Sequence, residues 1–490
     1  MRLTELMDGE SALFQSPSGV ALDITGLTSD SREVRPGFLF AALAGSHTDG
    51  RGFIADAIAR GAVAVLVAAG TALDQLPVPV IADTNPRRRL ALMAARFHAP
   101  QPKTIAAITG TNGKTSVAAF TRQIWQHAGK RAASLGTIGI VGPDFARPGS
   151  LTTPDPVVLH RELKALAEAG IDHVALEASS HGLDQYRLDG LDLAAAAFTN
   201  LTRDHLDYHG DMAAYFAAKR RLFTELLPRS GTAVLNFDTA EGRTLAALCR
   251  GRSQTVIGFG IPEDCDLRLL AAWPAGDGHA IEIAAFGERR KLRLNLMGAF
   301  QVSNVLAAIG LAVATGVQIG TALDALPLLV GVPGRMEHVA SHPSGAPVIV
   351  DYAHTPDALE TVLQALRPHC KGRLVVVFGC GGDRDPGKRP MMGAIAAAQA
   401  DRVIVTDDNP RSEDAAAIRR AILAQCPKAQ EIGDRRAAIA AALASLAQGD
   451  LLLLAGKGHE SGQIVGATVL PFSDAEVARA CVAALGQTPP

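Results

Sequence analysis

Residues 109–116 read TGTNGKTS, directly after the apolar run Ile105-Ala106-Ala107-Ile108 and directly before a helix-forming stretch at 117–127. A strand that turns through Gly110 and Gly113 into a helix headed by Lys114-Thr115 aims backbone N–H groups, a helix N-terminus and an ammonium at one point. The arrangement suits a polyphosphate. It places the loop at the carboxyl end of a sheet strand, where alternating α/β folds gather their ligands. The implied ligand is ATP.

The strict phosphate-loop spacing is not met, because Ile108 stands where its first glycine belongs. What remains is a shorter Gly-x-x-Gly-Lys-Thr form. In it the backbone of Gly110, Thr111, Asn112, Gly113 and Ser116 would cradle phosphates. Lys114 would neutralise the β- and γ-phosphates, and the Thr115 hydroxyl would ligate Mg²⁺.

At 490 residues the chain is long enough for about three domains. The first segment mixes short strands with a helix-like run at 54–60, an apolar strand at 62–67 and a helix at 87–97. It closes in His98-Ala99-Pro100-Gln101-Pro102, whose prolines read as a linker. From Lys103, apolar strands at 104–108, 173–177, 195–199 and 232–236 alternate with helices, which favours a mainly parallel sheet covered on both faces. The Ala-rich run at 302–317 is too short to span a bilayer and is interrupted by Asn304, so it reads as a buried helix.

Gly331-Val332-Pro333-Gly334 marks a second boundary, beyond which strands at 347–350, 373–378, 402–406 and 451–455 form another alternating series. The expected architecture is α/β with three domains. These are a smaller N-terminal α/β domain at 1–102, a central phosphate-loop ATPase-like domain at 103–332 with a mainly parallel sheet, and a C-terminal Rossmann-like α/β domain at 333–490.

A net charge of −2 argues against a nucleic-acid surface, which would need a basic excess. The six cysteines are scattered without the close pairs of a zinc site or disulfide framework, as suits a reducing cytoplasm. The polar start MRLTELMDGE lacks the apolar core of a signal peptide, so no membrane insertion is expected.

Polar residues cluster where strands end. Glu177 opens EASSHG after Val174-Ala175-Leu176, and NLTRDHLDYH at 200–209 follows another apolar strand. Carboxylate and imidazole groups such as Glu177 and His205 at neighbouring strand ends suit a second Mg²⁺. Asp204, Asp207 and His209 are not separable from loop-capping residues. Lys219 lies in a helical segment, where a lysine is ordinarily a solvated surface charge. In the last third, GCGGDRDPGKR at 379–389, DDNPR at 407–411 and GKGHE at 456–460 follow strand ends. Together they offer guanidinium groups for a carboxylate and carboxylates for an ammonium, as an amino-acid zwitterion requires.

Over essentially its whole length the chain resembles the Mur ligases, through GTNGKT at 110–115, EASSHG at 177–182, NLTRDHLDYH at 200–209 and DYAHTP at 351–356. The resemblance implies ATP-driven amide synthesis in peptidoglycan precursor assembly. A UDP-muramoyl dipeptide carboxylate would be phosphorylated by ATP to an acyl phosphate, which an incoming amine attacks. It further implies Thr115, Glu177 and His205 on two Mg²⁺ sites, and Lys219 as a carbamate, catalytic alongside Lys114 and His205. Ser29 and Ser31, with Ser46, His47 and Thr48, would contact the uridine diphosphate. Thr152, Thr153, Ser179, Gln185 and Arg187 would hold the muramoyl dipeptide. Asn304, Arg335 and Asp351 would meet ATP.

In the last domain the same resemblance assigns Arg384, Asp408, Asn409, Pro410, Arg411, Gly456 and Glu460 to the amino-acid pocket. Arg411 there suits the extra carboxylate of meso-diaminopimelate, which lysine lacks. The lysine-adding form and the folylpolyglutamate synthases are the rival readings within the family. A monomeric cytoplasmic enzyme with small-molecule substrates is expected. Two positions depart from the family pattern: Gln301 stands where an asparagine is common, and Leu151 where some relatives carry asparagine.

Overall fold

The computed structural model describes residues 1–7, 22–45, 49–149, 151–275 and 278–487. Three sheets with helices packed on them follow one another along the chain. Near the N-terminus, Gly26–Thr28, Phe38–Ala41, Ala62–Ala68 and Val80–Asp83 pair in parallel in that order. The long helix Pro86–Phe97 starts at proline, whose missing N–H costs nothing in the first turn, and is capped by the Asn85 side chain.

The central sheet has eleven strands among the described residues. Its heart is parallel: Thr232–Asn236, Leu193–Phe198, Thr104–Thr109, His173–Glu177 and Ala132–Gly136 lie side by side. The strand Thr104–Thr109 is apolar on both faces because both are covered. Ala106 and Ile108 enter one core, with Val117, Phe120 and Val305, while Ile105 and Ala107 enter the other, with Leu159 and Leu163. The helix Phe300–Ala314 lies against the first of these and is buried along most of its length, as its predominantly apolar composition requires.

Alternation of strand and helix does not reveal the edges of this sheet. Leu267–Ala275, Gly278–Ala285 and Glu288–Leu294 extend one edge, the last two antiparallel, and Gly139–Gly142 with Phe145–Arg147 extend the other. Hairpin strands of this kind carry polar residues on the solvent side and lack the continuous apolar signal of the buried strands.

In the last third, Pro347–Asp351, Leu451–Ala455, Leu374–Phe378 and Arg402–Val405 are parallel neighbours in that order, with Glu337–Ser341 antiparallel at one edge. Arg435 heads one helix packed on this sheet and Asp474 begins the C-terminal helix. The two side chains form a bidentate ion pair at 2.8 and 2.6 Å, both at 0% exposure. Arg435 also donates to the Ala455 carbonyl at 2.9 Å, so the pair ties the last helix to the end of a central strand.

The N-terminal unit docks through polar contacts. Arg88 meets Asp189 at 3.0 Å, Gln101 donates to the Gly190 carbonyl at 3.2 Å, and Ser29 reaches Asp155 at 3.3 Å. No helix among the described residues is long and apolar enough to cross a membrane.

Removing one member of a fully buried pair strands the other's charge. Asp474→Ala is therefore expected to lower stability by about 3–5 kcal/mol, seen as an earlier unfolding transition in urea monitored by circular dichroism. A change within about 0.5 kcal/mol, the usual range of surface substitutions, would show that the pair does not hold the C-terminal helix.

Candidate functional site

The turn after Thr104–Thr109 is built by conformations only glycine adopts easily. Gly110 and Gly113 have φ of +148° and +88°, and a Cβ would come within 1.9 Å of Thr199 Oγ1 at the first and 2.3 Å of Asn304 Oδ1 at the second. Ile108 is still a strand residue, paired with Glu177, so the turn begins only at Gly110 and the missing first glycine is not needed.

The loop is pinned from the neighbouring strand end. Thr111 N–H donates to the Asn200 carbonyl at 3.0 Å, Asn112 N–H to Asn200 Oδ1 at 2.9 Å, and Thr199 Oγ1 to the Asn112 carbonyl at 2.6 Å. The helix Lys114–His127 then starts with its N-terminus toward the loop.

Two lysine side-chain nitrogens converge beneath it. Lys114 Nζ donates to the carbonyls of Gly110 at 3.0 Å and Thr111 at 2.9 Å, and Lys219 Nζ donates to the same Gly110 carbonyl at 2.8 Å. Lys219 is 1% exposed and lies 4.3 Å over the Tyr215 ring. The general expectation of a solvated helix lysine is thus wrong here. Burial, reinforced by the charge of Lys114, holds the Lys219 amine well below its usual range. Burial also lowers Lys114.

Glu177 ends its strand fully buried, and its carboxylate accepts from Thr115 Oγ1 at 3.0 Å, from Thr137 N–H at 2.8 Å and from Thr137 Oγ1 at 3.1 Å. Thr137 carries no signal in the sequence and is found only here. Thr137 Oγ1 also meets Thr152 Oγ1 at 2.9 Å. His205 stacks edge-on to His181, with ring centroids 4.8 Å apart, and its ring lies 6.2 Å from that of Tyr215, the same ring that Lys219 overlies. Burial pushes His205 down to about 4, so its imidazole is neutral near pH 7. Among the described residues no three His, Cys, Asp or Glu side chains form a ready-made metal cage.

A cavity of about 390 Å³ joins this loop to the C-terminal sheet; besides the loop it is lined by Asn304, Arg335, Asp351, Tyr352, Thr355 and Asp357. Asn112 Nδ2 donates across it to Asp357 at 3.2 Å, and Arg335 lies 4.5 Å over the Tyr352 ring. Asp351 accepts from the N–H groups of Met336 at 2.7 Å and Ala353 at 2.8 Å, and burial pushes it up to about 6. Its oxygens therefore shape the turn that carries Arg335. Gln301 accepts from Asn304 Nδ2 at 2.9 Å, so this departure from the family pattern orients its neighbour.

A second cavity, of about 630 Å³, lies between the N-terminal and central units and gathers Ser29, Ser31, Arg87, Asp155, Gln185 and Arg187. Arg187 is oriented by Gln185 Oε1 at 2.8 Å and by the Thr153 carbonyl at 2.6 Å. Thr153 and Ser179 are committed locally. The Thr153 hydroxyl bridges the Glu177 carbonyl and Ser179 N–H, and the Ser179 hydroxyl caps a short helix at Gly182 N–H. Thr152 lines the first cavity. Ser46, His47 and Thr48 lie outside the described residues.

At the carboxyl edge of the C-terminal sheet, Asp408, Asn409 and Pro410 are buried and Arg411 is half-buried, with φ of +52°. Arg411 Nη1 donates to the Gly382 carbonyl at 2.7 Å, and Asn409 Nδ2 donates to Glu460 Oε2 at 2.9 Å. Gly456, with φ of +111°, passes so close that a Cβ would meet Asp408 Oδ2 at 2.8 Å. The three polar clusters read from the sequence therefore do meet. Arg384 stands exposed in the loop that carries the first of them.

Three family models match the chain in order: "Mur ligase family, catalytic domain" over 23–98, "Mur ligase middle domain" over 108–312 and "Mur ligase, glutamate ligase domain" over 334–458. A protein of Bradyrhizobium diazoefficiens named UDP-N-acetylmuramoyl-L-alanyl-D-glutamate--2,6-diaminopimelate ligase is 54% identical over 99% of both chains. A Caulobacter vibrioides protein of the same name is 53% identical over 95% of this chain and 96% of its own length. A solved structure of a ligase of that name superimposes with a TM-score of 0.69 at 33% identity, covering 95% of this chain and 96% of its own. MurF of Thermotoga maritima in complex with ADP shares the fold, with a TM-score of 0.63 at 20% identity over 95% of this chain and 97% of its own.

Because a Cβ at position 113 collides with Asn304 and the backbone there has positive φ, Gly113→Ala is expected to weaken binding of a non-hydrolysable ATP analogue by about tenfold or more, the equivalent of about 1.4 kcal/mol. Calorimetric titration checks this. Unchanged affinity would separate the loop from nucleotide binding.

Proposed function

The chain belongs to the Mur ligase family, and on that premise we propose that it adds meso-2,6-diaminopimelate to UDP-N-acetylmuramoyl-L-alanyl-D-glutamate, using ATP, in peptidoglycan precursor synthesis. The observation that carries this reading is the joining of three polar clusters at one sheet edge, through Arg411 to the Gly382 carbonyl and Asn409 to Glu460. It is supported by full-length likeness to relatives of that name. A guanidinium and a carboxylate offered by joined clusters suit a zwitterion, and a half-buried Arg411 left without the second carboxylate disfavours lysine.

ATP lies along the Gly110–Ser116 loop, with Asn304 and Arg335 as further contacts, and Asp351 acts through the turn it holds. The uridine-linked acceptor occupies the second cavity, with Ser29, Ser31, Gln185 and Arg187 as contacts. Its D-glutamate carboxylate attacks the γ-phosphorus in line, the bond to ADP breaks, and an acyl phosphate forms. The amine of diaminopimelate then attacks the acyl carbon, and phosphate departs from the tetrahedral intermediate. Both reactants of the first step are anions, so Lys114 offsets repulsion while the loop holds the phosphoryl group in place.

The residues fit Mg²⁺ in oxygen chemistry. The Thr115 hydroxyl and Glu177 carboxylate are 3.0 Å apart, a pair suited to a cation that completes its shell with phosphate oxygens and water. When bound, Mg²⁺ would neutralise phosphate charge. His205, neutral at pH 7, suits a second site. Lys219 suits it too once carbamylated, a step in which its neutral amine attacks CO₂ and releases a proton. The low basicity of the buried amine favours that step.

The chain divides into units at 1–102, 103–332 and 333–490 and works as a monomeric, cytoplasmic enzyme. Supplied with magnesium, ATP and the uridine-linked dipeptide, the purified chain is expected to form the amide and release phosphate only when diaminopimelate is present. Equal product with lysine would refute the assignment of Arg411.

Arg411→Ala is expected to raise KM for diaminopimelate by about tenfold or more, with KM for ATP within about twofold. Equal rises in both would remove Arg411 from the pocket. Lys219→Ala is expected to lose most activity and to recover part of it in added formate or acetate. Absence of rescue, with an unmodified lysine by mass spectrometry of the intact wild-type chain, would refute the carbamate.

A further inference from the structure

Lys457 follows the strand Leu451–Ala455, between Gly456 and Gly458, whose φ values are +111° and +53°. Neither glycine has room for a side chain. A Cβ would come within 2.8 Å of Asp408 Oδ2 at the first and within 2.7 Å of Tyr352 Cβ at the second. The chain so turned carries Lys457 into the protein, where it is 0% exposed. A lysine is rarely fully buried unless it is paired. Here Nζ donates to Glu460 Oε2 at 2.9 Å and to Asn409 Oδ1 at 3.0 Å.

These two acceptors are themselves joined, because Asn409 Nδ2 donates to the same Glu460 Oε2 at 2.9 Å. Asn409 Oδ1 receives, in addition, the N–H of Ile464 at 3.0 Å. The triangle fixes both carboxamide atoms of Asn409 and one oxygen of Glu460. The bonds to the carboxylate fall on Oε2, and the Glu460 side chain remains 30% exposed. A carboxylate anchored through one oxygen keeps the other available to a ligand's ammonium in a set direction.

We infer that Lys457 is a positioning residue for the amino-acid substrate: from beneath the pocket it anchors Glu460 and Asn409, so that Glu460 meets the incoming ammonium in one orientation. Being buried, it does not itself touch the substrate. This rests on the amino-acid pocket assigned under the proposed function. Its effect falls on capture of the amine rather than on phosphoryl transfer, since its bonds go to Asn409 and Glu460.

Steady-state kinetics with full-length Lys457→Met, Glu460→Gln and the double variant test it. Lys457→Met is expected to raise KM for diaminopimelate by about tenfold or more while leaving KM for ATP and for the uridine-linked acceptor within about twofold. In the Glu460→Gln background the same change should add less than about twofold, because residues acting through one another are not additive. An unchanged KM for diaminopimelate, an equal rise in all three KM values, or a full additive effect in the double variant would each overturn the inference. Should Lys457→Met not melt cooperatively, Lys457→Gln, which keeps a donor, is expected to show a smaller selective rise, and no rise would overturn the inference. Wild-type protein that fails to couple diaminopimelate refutes the proposed function itself. Coupling by wild type with unaltered kinetics in Lys457→Met refutes this inference alone.

Discussion

The carbonyl of Gly110 is the point on which the site depends. Lys114 and Lys219 both donate to it, from a helix in the same loop and from a helix a hundred residues away. Positive charge on both amines at this distance is disfavoured by repulsion and by desolvation, which holds the Lys219 amine well below its usual range. The arrangement is sustained by oxygen dipoles, by the attraction of Asp204 for both lysines and of Glu177 for Lys114, and by the Tyr215 ring. The unfavourable positive potential is what an anionic ligand relieves. It also adds to burial in lowering the basicity of Lys219.

Around that point the three sheets contribute different kinds of group. The central sheet supplies fixed ones: glycines with positive φ, a buried glutamate held by three donors and hydroxyls at strand ends. The C-terminal sheet supplies the far wall of the first cavity, reaching the loop through the Asn112–Asp357 bond. Its opposite cluster, around Asn409 and Glu460, is held from below by Lys457. The N-terminal unit meets the centre through polar contacts such as Arg88–Asp189 and encloses the second cavity there. Gathering ligands between surfaces built on different sheets suits a reaction that needs three of them held close and dry.

Much of this was legible from residues alone. The strand before the phosphate loop, the parallel series and the buried helix at 300–314 all appear where continuous apolar runs predict them. The antiparallel strands at the sheet edges were not visible, because half of each faces solvent and the apolar signal is broken. Lys219 was legible only by resemblance. Helical residues around it, such as Arg220 and Arg221, look equally like surface charges, and nothing local distinguishes the one that reaches Gly110. Thr137 had no signal at all.

The sequence by itself determined the class of fold and the kind of ligand, since glycine conformations, apolar periodicity and the Gly-Lys-Thr order act over a few neighbouring residues. Tertiary structure alone decided which charges are buried and which polar atoms are already engaged. It brought Lys219 to Gly110, committed the hydroxyls of Thr153 and Ser179 to the backbone, and placed Lys457 beneath Glu460. Desolvation and hydrogen-bond pairing depend on everything within a few ångströms, and most of those neighbours lie far apart along the chain.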